Sequence, residues 1–201
     1  MPPKPTKVQS LLKLASQGPI RPRDLDAAGI PRAYLRRLID RGNIERVAPG
    51  LYRHVDTQPT ELASLAEMAT RIPSATICLL SALQVHGLTT QSPRAVWIMI
   101  DGKARAPLAK HVRLLVVRAS GNALKHGVTT RRIEGVAVRI TTPARTVADC
   151  FRYRSRIGID VAIEALREYL NKKMGSVDRL LEAAKALRVG SVMLPYIQAL
   201  T

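Results

Sequence analysis

The sequence predicts an α+β fold in two parts: a three-helix unit with a hairpin at the amino end, then a small mixed sheet wrapped by helices. Three observations carry this. Residues 21–53 read as two short helices about Gly29, followed by two short strands about Pro49-Gly50. Residues 95–141 hold four segments that read as strands. Stretches on either side of those segments repeat their apolar residues with the period of a helix.

In chain order, residues 1–6 are rich in proline and lysine, a frayed terminus by default that could also serve as a basic arm. Val8, Leu11, Leu12, Leu14 and Ala15 predict a first helix that stops at Gly18-Pro19. Arg23–Ala28 predicts a second. Pro31 suits the first position of a third, because its missing N–H costs nothing there. Gly42 suits the left-handed residue just past that helix's end. Leu35, Leu38 and Ile39 form its inward stripe, so Arg32, Arg36, Arg37 and Arg41 fall on the other face. Ile30 is a poor N-cap, the weak point of this assignment. Ile44–Val47 and Leu51–Val55 predict strands joined through Ala48-Pro49-Gly50, where Pro fixes φ and Gly supplies a positive one.

Together these elements form a winged helix-turn-helix, closing near Asp56. A helix with one apolar stripe and an arginine-rich opposite face fits a major groove, and arginine binds guanine edges or phosphates. Arg32, Arg36, Arg37 and Arg41 are the candidates on the helix, Arg46 and Arg53 on the wing. Tyr34 either contacts the DNA backbone or packs inside the domain. The competing reading is a solvated, charged surface helix.

Residues 57–201 form the second predicted domain, after residues 1–56. Thr57–Thr60 is a polar hinge, and Thr60 is placed to cap a helix to about Arg71, with Leu62, Leu65, Ala66 and Ala69 inward. Thr76–His86 is apolar nearly all round and reads as a buried helix ending at Gly87. His86 in its last turn is placed where a helix dipole favours a cation. Ala95–Ile100 and Val112–Arg118 read as strands covered on both faces. Arg131–Glu134 and Val136–Thr141 read as a hairpin about Gly135, with Val136, Val138 and Ile140 inward. Thr142-Pro143 opens a helix with Ala144, Val147, Ala148 and Phe151 buried, and with Arg145 and Asp149 able to pair on its other face. Three helices follow. Ile159, Ala162, Ile163, Leu166, Tyr169 and Leu170 line the first; Ser176 caps the second and Ser191 the last.

Composition narrows the function. The net charge is +17, which points to a polyanionic partner. Aromatic residues are 3% of the chain, too few for base-stacking platforms, so duplex DNA is favoured over single strands. No stretch approaches the ~20 apolar residues of a membrane span, and no signal peptide is evident, so a cytoplasmic protein is expected. Cys78 and Cys150 sit in apolar segments without metal-ligand spacing, as buried thiols do. Neither a metal nor a cofactor is expected. Residues 103–156 carry 13 basic and 2 acidic residues. Lys110, Arg113, Arg118, Arg131, Arg132, Arg139 and Arg145, with Lys125, Arg152, Arg154 and Arg156, are candidates for a second basic face toward DNA or an acidic partner. The alternative is scattered solubilising charge. The only acids there, Glu134 and Asp149, lie on separate elements, and there is no phosphate-cradling loop, so no enzyme is expected.

Several segments resemble the AbiEi-type antitoxins of bacterial abortive-infection toxin–antitoxin systems: GNIERVAPGLYR in the wing, SALQVHGL, and IEGVAVRITTPARTVADC. The resemblance runs from about Val8 to the C-terminal helices. It implies a winged helix that binds repeats in its own promoter and represses the operon. It also implies a C-terminal domain that neutralises a cognate nucleotidyltransferase toxin in a type IV system, without need of a stable complex. Relatives sharing the Thr-Pro-x-Arg-Thr segment sometimes carry a nuclease domain; none is expected here. A stand-alone regulator whose second domain senses a ligand or mediates assembly is the competing hypothesis, and a nucleotidyltransferase gene directly downstream would decide between them. The oligomeric state stays open, a monomer binding DNA cooperatively among the options.

Overall fold

The computed structural model describes residues 5–57, 62–107 and 112–201. The expected cap Thr60, the first four residues of the basic arm, and Lys110 lie outside the described residues. Contacts divide the chain into two compact units, Met1–Arg71 with Arg132–Ala137, and Ile72–Arg131 with Val138–Thr201.

In the first unit, α1 (Lys7–Ser16) starts with a capping box: Gln9 N–H donates to the Thr6 hydroxyl (3.2 Å) and Thr6 N–H to Gln9 Oε1 (2.9 Å). Then come α2 (Pro22–Ala27), α3 (Ala33–Asp40), β1 (Ile44–Ala48), β2 (Leu51–His54) and α4 (Ala63–Arg71). Ile20, between α1 and α2, exchanges backbone hydrogen bonds with Tyr52 at 2.7 and 2.9 Å, adding a third segment to the hairpin. Leu11, Ala15, Ile20, Leu25, Ile30, Leu35, Leu38 and Ile44 pack into one core.

The α2–α3 corner is fixed by backbone chemistry. Ile30 N–H reaches Leu25 O (2.8 Å) and Gly29 N–H reaches Asp26 O (3.1 Å), a Schellman closure with Gly29 at φ +63°. It turns Ile30 into the core beside Leu25, which explains an aliphatic residue where a cap was sought. The same closure ends α3, with Gly42 at φ +72°. Helix α3 begins at Ala33, two residues after the expected Pro31. Tyr34 and Leu35 N–H donate to Pro31 and Arg32 carbonyls three residues back (3.1 and 3.0 Å), so Pro31–Arg32 is a tight turn leading into the helix.

The second unit contains β3 (Thr76–Ile77), α5 (Leu79–His86), β4 (Val96–Asp101), β5 (Leu114–Ala119) and α6 (Asn122–Lys125). The chain continues with β6 (Val128–Ile133) and β7 (Val136–Thr141), whose Arg132–Ala137 stretch counts with the first unit, then α7 (Pro143–Arg152), α8 (Arg154–Ile157), α9 (Ile159–Asn171), α10 (Val177–Ala186) and α11 (Gly190–Leu200). The sheet order is β5-β4-β3-β7-β6. Strand β4 runs parallel to β5 and antiparallel to β3, and β3 runs parallel to β7. The fold is therefore α+β, a winged helix-turn-helix followed by a small mixed sheet with helices packed against it.

Several expectations change. Thr76–His86 is not one helix: Thr76-Ile77 is the central strand, and Cys78 is the N-cap of α5. A short apolar run buried on all sides has no period to distinguish strand from helix, and pairing with β4 and β7 decides for strand. Strand β5 is an edge, with only Val117 fully buried, rather than a strand covered on both faces. Strand β6 starts at Val128, three residues before Arg131. The short α6 and α8 were not expected. Ser176 does cap α10, accepting from Arg179 N–H at 3.3 Å, but α11 starts at Gly190, so Ser191 lies inside its first turn. The inward Val136, Val138 and Ile140 are buried, as the alternation predicts.

Candidate nucleic-acid interface

Helix α3 presents Ala33, Arg36, Arg37 and Asp40 outward, with Leu35 and Leu38 buried beneath. Arg36, Arg37 and Arg41 are exposed, and their side chains make no hydrogen bond or ion pair within the described residues. Their donors are available to an anion. Tyr34 is half-buried against the core, so packing is its role within the unit.

Arg32 is differently placed. Its Nε and Nη2 bind Asp26 Oδ1 and Oδ2 at 3.0 and 2.5 Å, a two-pronged pair joining α2 to the start of α3. The Arg32 hydrogen bond holds the Asp26 carboxyl below its ordinary range, and Asp26 in turn raises the guanidinium. On the wing, Arg53 is also paired. It donates to Glu45 Oε1 through Nε (3.1 Å) and Nη2 (2.5 Å) and is only 16% exposed. Glu45 and Arg53 are direct cross-strand partners, so the register creates the pair. Arg46 is exposed, opposite Tyr52. The wing turns at Pro49-Gly50, with Gly50 at φ +68° and a bulge between Arg46 and Ala48.

The second set of basic residues is spread across the sheet. Arg113 and Arg118 sit at β5 and Arg131 and Arg132 on β6, the opposite edges of a five-stranded sheet, roughly 19 Å apart at the usual strand spacing. Arg118 Nη1 donates to the Gly102 and Ala104 carbonyls at 3.0 and 2.6 Å. Arg131 donates to Val85 O (3.1 Å) and Arg139 to Ser74 O (3.2 Å). Arg113 and Arg132 are exposed.

Arg145 corrects the sequence reading outright. It is 1% exposed and cannot belong to any outer face. Its Nε donates to Asp149 Oδ2 at 2.8 Å, Nη1 to His126 O at 2.6 Å and Nη2 to Ala123 O at 2.8 Å. All of Ala144–Phe151 is buried, because α7 packs against α5, α9, α10 and α11 at once. Gly127 leaves room for the root of the Arg145 side chain: a Cβ there would stand 2.7 Å from Arg145 Cβ. Burial pushes the Asp149 carboxyl up, with Arg145 opposing.

His86 is likewise internal. Its Nε2 lies 2.7 Å from the Thr141 carbonyl, which only accepts, so Nε2 carries the proton. Burial lowers its pKa, opposed by that hydrogen bond and aided by Arg131. It is held neutral rather than charged by a helix end. Cys78 and Cys150 are buried free thiols, both pushed up by burial. Among the described residues no group of three or more His, Cys, Asp or Glu is placed to hold a metal, and no helix is long and apolar enough to cross a membrane.

Sequence reasoning missed the pairing of Arg32 and Arg53. The signals were present: Asp26 precedes Arg32 across the turn, and Glu45 and Arg53 are equidistant from Pro49.

Residues 9–54 match the model of a family described as "Transcriptional regulator, AbiEi antitoxin". The match runs from α1 to the end of β2, so the arginine helix and the wing lie inside it. It is a family of regulators rather than of enzymes. No curated protein matches the chain. Among solved structures the chain is similar to the RV2827C protein from Mycobacterium tuberculosis, at 16% identity and a TM-score of 0.57, over 96% of this chain and 78% of that one. At that identity the likeness concerns the fold, and it extends through both units.

Proposed function

We propose that this chain is a DNA-binding transcriptional autorepressor and antitoxin, acting in the cytoplasm, that neutralises a nucleotidyltransferase-type toxin from the same operon. Residues 1–56 are the DNA-binding domain and residues 57–201 the antitoxin domain. The observation that supports this most is the outer face of α3, where three arginines without protein partners stand on a helix braced from below by Leu35 and Leu38. In this reading α3 enters a major groove of repeats in the promoter. Arg36 and Arg37 reach base edges or phosphates, and Arg41 reaches the backbone. Arg46 approaches the flanking phosphates from the wing. Arg32 positions α3 through Asp26 and reaches DNA only where that pair opens.

The antitoxin half rests on the resemblance of SALQVHGL and IEGVAVRITTPARTVADC, whose residues build α5, the β6–β7 turn and α7. The test has two arms. In a mobility-shift titration on promoter duplex, Arg36→Ala and Arg37→Ala weaken binding; unchanged binding in both removes α3 as the reading helix. Co-expression of the full chain with the downstream nucleotidyltransferase restores growth; failure to do so removes the toxin assignment and leaves the regulator. That second reading, a stand-alone regulator, is favoured by one observation in the second unit, a cleft lined by three arginines and no carboxylate.

A further inference from the structure

That cleft, of about 590 Å³, opens in the second unit at the carboxyl ends of the parallel strands β4 and β5. Gly102 follows β4, Ser120 follows β5, Asn122 begins α6, Arg152 ends α7 and Arg188 follows α10. Arg118 reaches it from β5, and alanines supply the remaining wall. A crevice outside the carboxyl ends of adjacent parallel strands is where open α/β sheets take ligands.

We propose that this cleft binds a small di- or triphosphate, of the nucleoside polyphosphate class. It holds three guanidinium groups and no carboxylate lines it. Arg118 commits Nη1 to backbone carbonyls, and Arg152 Nη1 lies 3.5 Å from Leu187 O. Their Nε and Nη2 groups, and the whole Arg188 guanidinium, have no hydrogen-bond partner among the described residues. Asp149 attracts Arg152, and the Tyr153 ring lies 5.9 Å from the Arg152 guanidinium, but no carboxylate stands in the lining beside Arg118 or Arg188. A ligand with two or more negative charges supplies that counter-charge, and planar forks of donors match phosphate oxygens.

Arg188 adds a second argument. It occupies the position after α10 with φ +57°, where glycine or asparagine is the ordinary choice. From that position its side chain lines the cleft. Size selects the nucleoside class: the volume lies in the range of small-molecule pockets and exceeds what a bare phosphate fills. Concavity argues against duplex DNA, whose convex backbone meets a ridge or a groove rather than a recess closed by five elements. The inference stands independently of the role given to α3.

Isothermal titration of the full chain with ATP, pyrophosphate and adenosine tests it. ATP binds saturably at one site, pyrophosphate binds more weakly and adenosine does not bind. Arg152→Gln and Arg188→Asn each weaken ATP about tenfold or more, as expected for loss of a charge-assisted bond. Arg188→Asn suits the left-handed backbone, so its thermal unfolding stays at or above the parent's while its binding falls. No saturable ATP binding overturns the proposal, as does ATP binding in both variants as tight as in the parent. Pyrophosphate binding as tight as ATP overturns the nucleoside assignment. A random duplex that displaces ATP and is itself weakened by both substitutions makes the cleft a DNA contact and overturns the proposal.

Discussion

Two helices of this chain look alike as sequence and use arginine in opposite ways. AYLRRLID in α3 and PARTVADCFR in α7 each set arginine against an apolar stripe. In α3 the arginines stand in solvent with open donors; in α7 Arg145 is enclosed, and Asp149 and two backbone carbonyls take up its donors. The difference lies in what surrounds the helix. One side of α3 rests on a small core, whereas α7 has helices around it. An arginine on a helix with one dry side keeps its donors in solvent, and one with no wet side is tied into the fold.

The largest effect expected from this contrast is on stability. Arg145→Met removes the counter-charge of a carboxylate that is itself 2% exposed, and leaves the Ala123 and His126 carbonyls unsatisfied. Breaking a buried pair costs about 3–5 kcal/mol. In urea unfolding monitored by circular dichroism, the variant should lose that much, and Arg145→Met with Asp149→Leu should recover part of it. A loss below about 1 kcal/mol, the range of surface pairs, would mean that the pair is not enclosed.

The next effect is on binding and leaves stability nearly untouched. Arg36→Ala or Arg37→Ala should cost ~1–3 kcal/mol in promoter affinity where the side chain reads a base, with relaxed specificity at that position. Because both side chains are exposed and unpaired, the melting temperature should stay close to the parent's. A fall in stability comparable to that of the Arg145 variant would erase the distinction between the two helices.

The sequence revealed the first helix better than the second, for a physical reason. Leu35, Leu38 and Ile39 leave a clear polar arc, so a one-sided environment was legible. In α7 the same periodic logic placed Arg145 and Asp149 outside, since spacing of four gives a pair but not its surroundings. Only the packing of α5, α9, α10 and α11 decides that, and those contacts are remote in sequence. Thr76-Ile77 was hidden in the same way: two residues carry no period, and their strand character comes from β4 and β7 on either side. At the interface the cations were legible, but not which of them a neighbouring acid engages, as with Arg32 and Arg53.

A smaller effect separates the free arginines from the paired one on the wing. Arg53 is bound to Glu45 through two of its nitrogens, so Arg53→Ala should cost less DNA affinity than Arg36→Ala or Arg37→Ala. The dependence of log affinity on log salt should hardly change, because a neutralised pair releases no counterions. Glu45→Gln should do the reverse, freeing Arg53 to meet a phosphate and steepening the slope by about one. Fluorescence anisotropy with labelled duplex at four salt concentrations reads both. A steep loss in Arg53→Ala would show that DNA displaces Glu45.

The smallest effect concerns a group kept neutral inside the second unit. His86 donates from Nε2 to the Thr141 carbonyl, and burial lowers its pKa, with Arg131 adding to the shift. Above the ordinary histidine value of about 6.5, both native and unfolded forms are neutral, and His86 adds no pH dependence. As pH falls through that value the unfolded chain takes up a proton that the native chain resists, so stability declines with acidity. The melting temperature should therefore drop between about pH 7 and the lowered native value, and His86→Gln, which can still donate to Thr141, should flatten that drop. Thermal unfolding of both proteins across that window is the measurement. A steeper acid decline in the glutamine variant than in the parent would mean that His86 gains a proton on folding, and the second unit would then hold a histidinium as it holds Arg145.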